Sequence, residues 1–493
     1  MGIAGQERNR LPLQPKERRL VAMRPQTLRA QDELPFLAAS DKCSRLAECT
    51  HKQTNVDRKM KRTAVALIAV LAAMTAIPTC AQELASDSVF RSERKSRLSV
   101  GGYGEVAYSR HFYSDNLYRY KNVSAYKNDP SNGQFDIPHA VIYLGYDFGK
   151  GWTLGTEIEF EHTGTGAATE IETDEGGEYE IENEKGGEVE LEQFWINKEF
   201  APWANIKLGH IVVPVGLNNA YHEPLNFFTV YRPEGEDCIL PSTWHDTGVS
   251  LWGRAGKFRY ELMMVAGLNA LQYTRDGWIH DGAGSAWEFK PANKYGFAFR
   301  VDYYAMPGLR LGLSGYYGQA MHNSSPNDLE NSTNYGNVKA NTYVGSFDFT
   351  FKRFNWIVRG QADYGYVSDT PKLNSAKSTY ASTAPYDVTR VGKNAVAIGV
   401  EAGYNLFALF NKTRDQEHKL YLFGRFDFYD SQITASGVAS NDYTRRRVWT
   451  AGINYYPIKQ IVLKADYSYR KLDHYYTNEP SVNIGVAYEG WFL

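Results

Sequence analysis

KYGFAFRVDYY, residues 294–304, alternates without a break. Tyr295, Phe297, Phe299, Val301 and Tyr303 fall on one side of an extended chain, and Lys294, Gly296, Ala298, Arg300, Asp302 and Tyr304 on the other. Successive side chains of a strand point to opposite faces, so the run makes one aromatic face and one polar face. The first suits hydrocarbon and the second a wet interior. In lipid an open sheet edge finds no hydrogen-bond partner, so a strand of this kind belongs to a closed barrel.

The same period recurs from about residue 95 to the C-terminus. Strands are expected at 97–109, 137–148, 151–162, 188–199, 203–211, 245–254, 257–267 and 294–305. They continue at 309–319, 340–352, 355–366, 392–405, 418–430, 446–456, 460–470 and 481–492. That makes sixteen, an even number, as a single-chain bacterial barrel requires. Tight connections are expected at Gly149-Lys150, Pro202, Ala255-Gly256, Met306-Pro307-Gly308, Arg353-Phe354 and Pro457-Ile458, with 406–417 longer. Long polar connections at 110–136, 163–187, 212–244, 268–293, 320–339, 367–391, 431–445 and 471–480 alternate with them. The expected fold is therefore all-β: a transmembrane antiparallel up-and-down β-barrel with short periplasmic turns, long external loops and periplasmic termini. Aromatics near strand ends, such as Trp152, Trp195, Trp203, Trp356 and Trp449, suit interfacial girdles. The rival is an aromatic-rich soluble sandwich. The final strand, with Val482, Ile484, Val486 and Tyr488 on one face, ends in Trp491-Phe492-Leu493, which suits an assembly signal although the last residue is not Phe.

The other end of the chain reads as export. Lys61-Arg62, the apolar stretch Ala64 to Ile77 and Thr79-Cys80-Ala81 form a secretory signal at 60–81, with cleavage expected after Ala81. Its apolar core is too short for a spanning helix. Residues 1–59 precede it and are expected to be non-native or disordered upstream sequence, and 82–96 a short periplasmic segment. Residues 1–81 hold 14 Lys and Arg against 7 Asp and Glu, which leaves 40 against 49 and a net charge of about −9. Of Cys43, Cys49, Cys80 and Cys238, only Cys238 survives cleavage, so no disulfide framework is expected.

If the apolar face meets lipid, parity puts charges inside. Lys207, Arg300, Asp302, Arg310, Asp348, Arg359, Asp363, Arg425, Asp427, Lys464, Asp466 and Arg470 form the expected lumen wall, of mixed sign. Such a wall passes small polar solutes, whereas rings of one sign select ions more sharply. The same pairs could instead bind neighbouring strands together. Glu157, Glu159 and Glu161, then Glu178, Glu180, Glu182 and Glu184, then Glu188, Glu190 and Glu192 are each spaced by two. From Glu170 to Glu192 there are eleven acids against one base, Lys185. This hairpin reads as an acidic vestibule, as a binder of divalent cations through carboxylate oxygens, or as an outward solvated face.

The third long connection, 212–244, is expected to narrow the channel. It carries His222, Glu223, Arg232, Glu234, Glu236 and Asp237, and Pro214, Pro224, Pro233 and Pro241 stiffen it by fixing φ. His222 and Arg232 either anchor the loop to the wall or touch solute.

Several stretches resemble one known family. They are EIEFEH at 157–162, EVELEQFWI at 188–196, KLGHIVVPVGLNN at 207–219, HEP at 222–224, YRPE at 231–234 and LPSTWHDTGVSLWG at 240–253. In order and spacing they resemble the central region of the phosphate-selective porin O/P family, especially its Bacteroidetes-type members. The resemblance implies a sixteen-stranded, trimeric barrel and, in members known for phosphate, clustered Arg and Lys at the constriction. Here the only base between 212 and 244 is Arg232, against Glu223, Glu234, Glu236 and Asp237. Cations or neutral solutes are favoured by such a pore.

No G-x-S-x-G, HExxH or phosphate loop is present, and no catalytic residue, cofactor or metal-ligating motif is expected. His139 and His245 have no nucleophile partner by spacing, and Gly102 to Ala107 fits G-x-G-x-x-A only inside the first strand. The expectation is an outer-membrane porin for passive diffusion of small hydrophilic solutes or ions, with phosphate or another anion as what the family resemblance implies. Its partners would be lipid, two further copies and the barrel-assembly machinery, without nucleic acid. Rivals are a plugged barrel acting as an adhesin or structural protein and a barrel enzyme such as an outer-membrane phospholipase.

Overall fold

The computed structural model describes residues 97–493 apart from 129–130, 168–169, 174–178, 183–184, 285–289, 324–335, 379–388, 411–417, 434–441 and 474, and gives backbone alone over 163–188. The signal at 60–81, the flanking segments 1–59 and 82–96, and Glu178 and Glu184 lie outside the described residues.

Sixteen strands form the barrel. They are β1 Leu98–His111, β2 His139–Gly149, β3 Trp152–Ala167, β4 Lys185–Ala201, β5 Ala204–Val212, β6 His245–Ala255, β7 Phe258–Val265 and β8 Gly296–Met306. They continue as β9 Leu309–Gln319, β10 Asn341–Arg353, β11 Trp356–Val367, β12 Asn394–Asn405, β13 Lys419–Asp430, β14 Arg446–Ile458, β15 Ile461–Lys471 and β16 Glu479–Trp491. Each pairs antiparallel with its neighbours in sequence, and β1 closes on β16 from Gly101 opposite Trp491 to His111 opposite Ser481. All sixteen expected strands are present within a few residues, and short and long connections alternate as expected. No described helix is long and apolar enough to cross a membrane; the strands cross it.

One departure has a clear cause. A short strand, Asn132–Asp136, pairs with the outer half of β1 while β2 pairs with the inner half, so the two are one strand interrupted at Ile137-Pro138. Proline has no N–H to give to a ladder. At the opposite end the chain turns tightly. Phe354 and Asn355 both have positive φ, 56° and 65°, the twist that two-residue hairpins favour.

Ile142, Leu144, Phe297, Phe299, Ile398, Val400, Ile484 and Val486 are exposed on the outer face. Phe148, Trp152, Phe200, Trp203, Phe354, Trp356 and Phe492 are exposed around the short-turn end and form an aromatic girdle there. The inner residues of the quoted stretch, Gly296, Ala298, Arg300, Asp302 and Tyr304, are buried. At the long-loop end, over β6 to β13, Trp244, Leu268, Tyr273, Trp278, Ile279, Leu373 and Val391 belong to one apolar cluster. Trp278 packs where a Cβ on Gly365 of β11 would stand, and its indole N–H donates to the Gly392 carbonyl at 3.2 Å.

Candidate functional site

Residues 213–244 fold into the barrel. Their hydrogen bonds reach strands on every side: Arg300 of β8, Arg359 of β11, Tyr429 of β13, Asn454 of β14, Lys464 of β15 and Tyr103 of β1. Only a segment inside the closed sheet can do this.

The loop has its own frame. Val213 N–H donates to the Trp244 carbonyl at 2.7 Å, and Trp244 N–H donates to Asn219 Oδ1 at 2.6 Å, which fastens the neck. Glu236 accepts from the N–H groups of Leu217 at 2.8 Å and Asn219 at 3.0 Å. Gly216, with φ of 91°, leaves the space that carboxylate fills, since a Cβ there would stand 2.1 Å from Glu236 Oε1. Burial pushes the Glu236 carboxyl up to about 7, against the pull of those N–H groups. Glu236 thus braces the loop and does not face solute.

The expected lumen wall lies mostly beneath this loop. Arg300 bonds Asp302 at 3.1 Å and Asp348 at 2.9 Å, and Arg310 bonds Asp348 at 2.6 Å and Asp302 at 2.9 Å. A second group links Arg425 to Asp427 at 2.6 Å and to Glu401 at 3.1 Å, with Arg359 3.5 Å from Glu401. Arg300 also donates to the Gly216 carbonyl at 2.9 Å, and the Tyr221 ring lies 4.5 Å from Arg310. Lys464 gives its ammonium to the Pro224 and Thr229 carbonyls at 2.7 and 2.9 Å. Asp466 accepts from Val230 N–H at 2.7 Å. Lys207 sits over the rings of Trp195 and Trp252, and Asp363 is buried. Charges removed from water each cost several kcal/mol unless closely paired, and here pairing and loop carbonyls provide that. The wet wall read from parity is therefore corrected to a covered one. Parity gave the inward direction but could not show the loop laid over it. Asp427, Asp466 and Arg470 keep a side toward open space.

That space is a cavity of about 450 Å³ between the loop and strands β1, β2, β3 and β13 to β16. Arg232, Glu234 and Asp237 line it from the loop, and His139, Glu161 and Asp136 from the wall. Its lining residues include six carboxylates, of Asp136, Glu161, Glu234, Asp237, Asp427 and Asp466, and two guanidiniums, of Arg232 and Arg470. Arg232 is 3.4 Å from the Tyr103 hydroxyl and 3.9 Å from Glu159. Glu223 accepts from Asn226 at 2.8 Å. His222 Nδ1 donates to the Asn219 carbonyl at 3.0 Å, and its Nε2 stands 3.7 Å from Glu157.

The acidic residues divide. Glu157, Glu159 and Glu192 are buried behind His222 and Arg232, Glu161 reaches the cavity, and Glu190 is 3.3 Å from His245 Nε2. Glu170–Thr173 pairs antiparallel with Tyr179–Glu182; the side chains of Glu180, Glu182 and Glu188 lie outside the described residues. Sequence reading missed Glu401, Tyr103 and Glu105, the last 2.7 Å from His139. Strand parity in 97–109 and 392–405 would have found all three.

No family model matches the chain. It is 27% identical over 380 residues, 76% of each chain, to an uncharacterized protein of Aquifex aeolicus strain VF5. Among solved structures it is similar to the outer-membrane channel DcaP of Acinetobacter baumannii, at 12% identity over 81% of this chain and 100% of that one, TM-score 0.46. It is also similar to an anion-selective porin from Comamonas acidovorans, at 9% identity over 80% and 99%, TM-score 0.45. Likeness at these levels carries nothing about cargo.

Proposed function

We propose that the chain is an outer-membrane porin that passes small hydrophilic solutes or ions by passive diffusion, with cations and neutral solutes favoured. The observation that carries this reading is the inward loop 213–244, which leaves beside it a cavity of about 450 Å³ lined by charged side chains. At ~30 Å³ per water that is room for about fifteen waters, enough for a hydrated ion or a small sugar and too little for a folded chain. Its carboxylates outnumber its guanidiniums, and a low-dielectric wall focuses their field. The motif run of 157–253 suggests the phosphate-selective porin O/P family and with it a homotrimer; phosphate itself would meet an acidic lining. Export through a signal cleaved after Ala81 and insertion by the barrel-assembly machinery complete the proposal.

A plugged barrel serving as an adhesin is the second reading, favoured by the apolar cluster packed over β6 to β13 at the long-loop end. Single-channel recording of the purified protein in a planar bilayer separates the two. Discrete conductance steps support the porin, and a silent, correctly folded barrel supports the plug.

A further inference from the structure

Between the inward loop and the wall lies a group of side chains that the pore does not use. Glu157 of β3, Glu192 of β4 and His222 of the loop each place one donor atom within 4.8 Å of the others, and all three are buried. A β-bulge creates the arrangement. Glu157 pairs with Gln193 and Ile158 with Leu191, so Glu192 is the extra residue, and both Glu192 and Gln193 are buried. Bulges re-aim side chains in this way. Glu192 is 0% exposed, and neither of its carboxylate oxygens has a hydrogen-bond donor among the described residues. Beside it stand two more carboxylates, Glu157 and Glu159. Glu157 Oε1 and His222 Nε2 have no hydrogen-bond partner among the described residues either.

Each donor is held from behind. Gln193 donates to the other oxygen of Glu157, and His222 Nδ1 donates to the Asn219 carbonyl at 3.0 Å, which leaves Nε2, facing the acids, to bind an ion in exchange for a proton. Ligating side chains are oriented in this way by their outer partners. The 3.7 Å between His222 Nε2 and Glu157 Oε1 is close to the edge of about 3.4 Å set by bonds of ~2.1 Å in a tetrahedral site.

We propose that Glu157, Glu192 and His222 bind one divalent first-row transition ion, clamping the inward loop to β3 and β4. Two carboxylates and a neutral imidazole around a dication sum to zero net charge, and the neighbouring Glu159 is met by Arg232 at 3.9 Å, which suits burial. The mixed nitrogen and oxygen donors fit such an ion, whereas Ca²⁺ takes six to eight oxygens. The site does not depend on whether the barrel conducts.

The test uses the full chain purified in detergent, stripped with EDTA and titrated calorimetrically with ZnCl₂. One equivalent is expected to bind, weakened roughly 100-fold or more in Glu192→Gln and in His222→Gln. Glu192→Gln relieves crowding among like charges and keeps the shape, so its folding, read by heat-modifiable gel migration, is expected to persist. His139→Gln is the control, because His139, Glu159 and Glu161 form a second cluster partly open to the cavity. It is expected to leave binding intact. The proposal is overturned if no Zn²⁺ binds, which would leave the acids balanced by protons or by His222 as imidazolium. It is overturned equally if binding survives in folded Glu192→Gln or is lost only in His139→Gln.

Discussion

Arg470 of β15 grips Glu234 of the inward loop with two parallel hydrogen bonds, at 2.5 and 2.9 Å. The same guanidinium bonds Glu479 at 2.5 Å, so one wall residue ties the loop to β16 as well. Burial alone would raise the Glu234 carboxyl, yet Arg470 holds it below the usual carboxylate range. Glu234→Gln turns a charge-assisted fork into a weaker pair. A loss of about 1–3 kcal/mol is expected, with a larger single-channel conductance as the loop loosens. Unchanged conductance and unchanged melting would show that this contact does not position the loop.

Asp348 stands between two arginines. Asp348→Asn leaves Arg300 and Arg310 sharing Asp302 as their carboxylate partner in a site shut off from water. A cost of about 3–5 kcal/mol is expected, read as a lowered unfolding midpoint in denaturant.

Gly312 is needed by the same cluster. A Cβ there would stand 2.6 Å from both Arg300 Nη2 and Asp348 Oδ1, whereas one at Gly424 meets nothing within 4 Å. Gly312→Ala is expected to destabilise the barrel by about 1–3 kcal/mol, and Gly424→Ala to leave it nearly unchanged. Equal effects in the two variants would contradict the packing described.

The direction in which these side chains point was legible in the sequence. Arg300 and Asp302 alternate with Phe299 and Val301, and a period of two fixes the face whatever the partners are. What covers them was not legible, because Gly216 is 84 residues from Arg300 along the chain and no local pattern links them. The bulge at Glu192 was hidden for a related reason. Parity reads Glu188, Glu190 and Glu192 as one face and carries no sign that Gln193 joins it.

Glu236 makes the loop sensitive to pH. Unfolded, it ionises near the ordinary 4.5; in the loop it does so near 7. The folded state therefore holds an extra proton between these values, and stability declines as pH rises across that window. The melting temperature is expected to fall more between pH 5 and pH 7 in the native chain than in Glu236→Gln. Parallel profiles would show that Glu236 does not titrate there.

Arg232 is the loop's only Arg or Lys and lines the cavity beside Glu159. Arg232→Ala is expected to leave the barrel folded and to shift selectivity further toward cations. Bilayer traces and reversal potentials identical to those of the native protein would remove Arg232 from the constriction.

The most direct test of the account is the reversal potential of the purified barrel in a planar bilayer under a potassium chloride gradient. An acidic cavity behind an inward loop predicts a potential on the potassium side, reduced in Asp237→Asn. A strongly chloride-selective potential would contradict it and would return phosphate, which the motif run suggests, to the place of natural cargo.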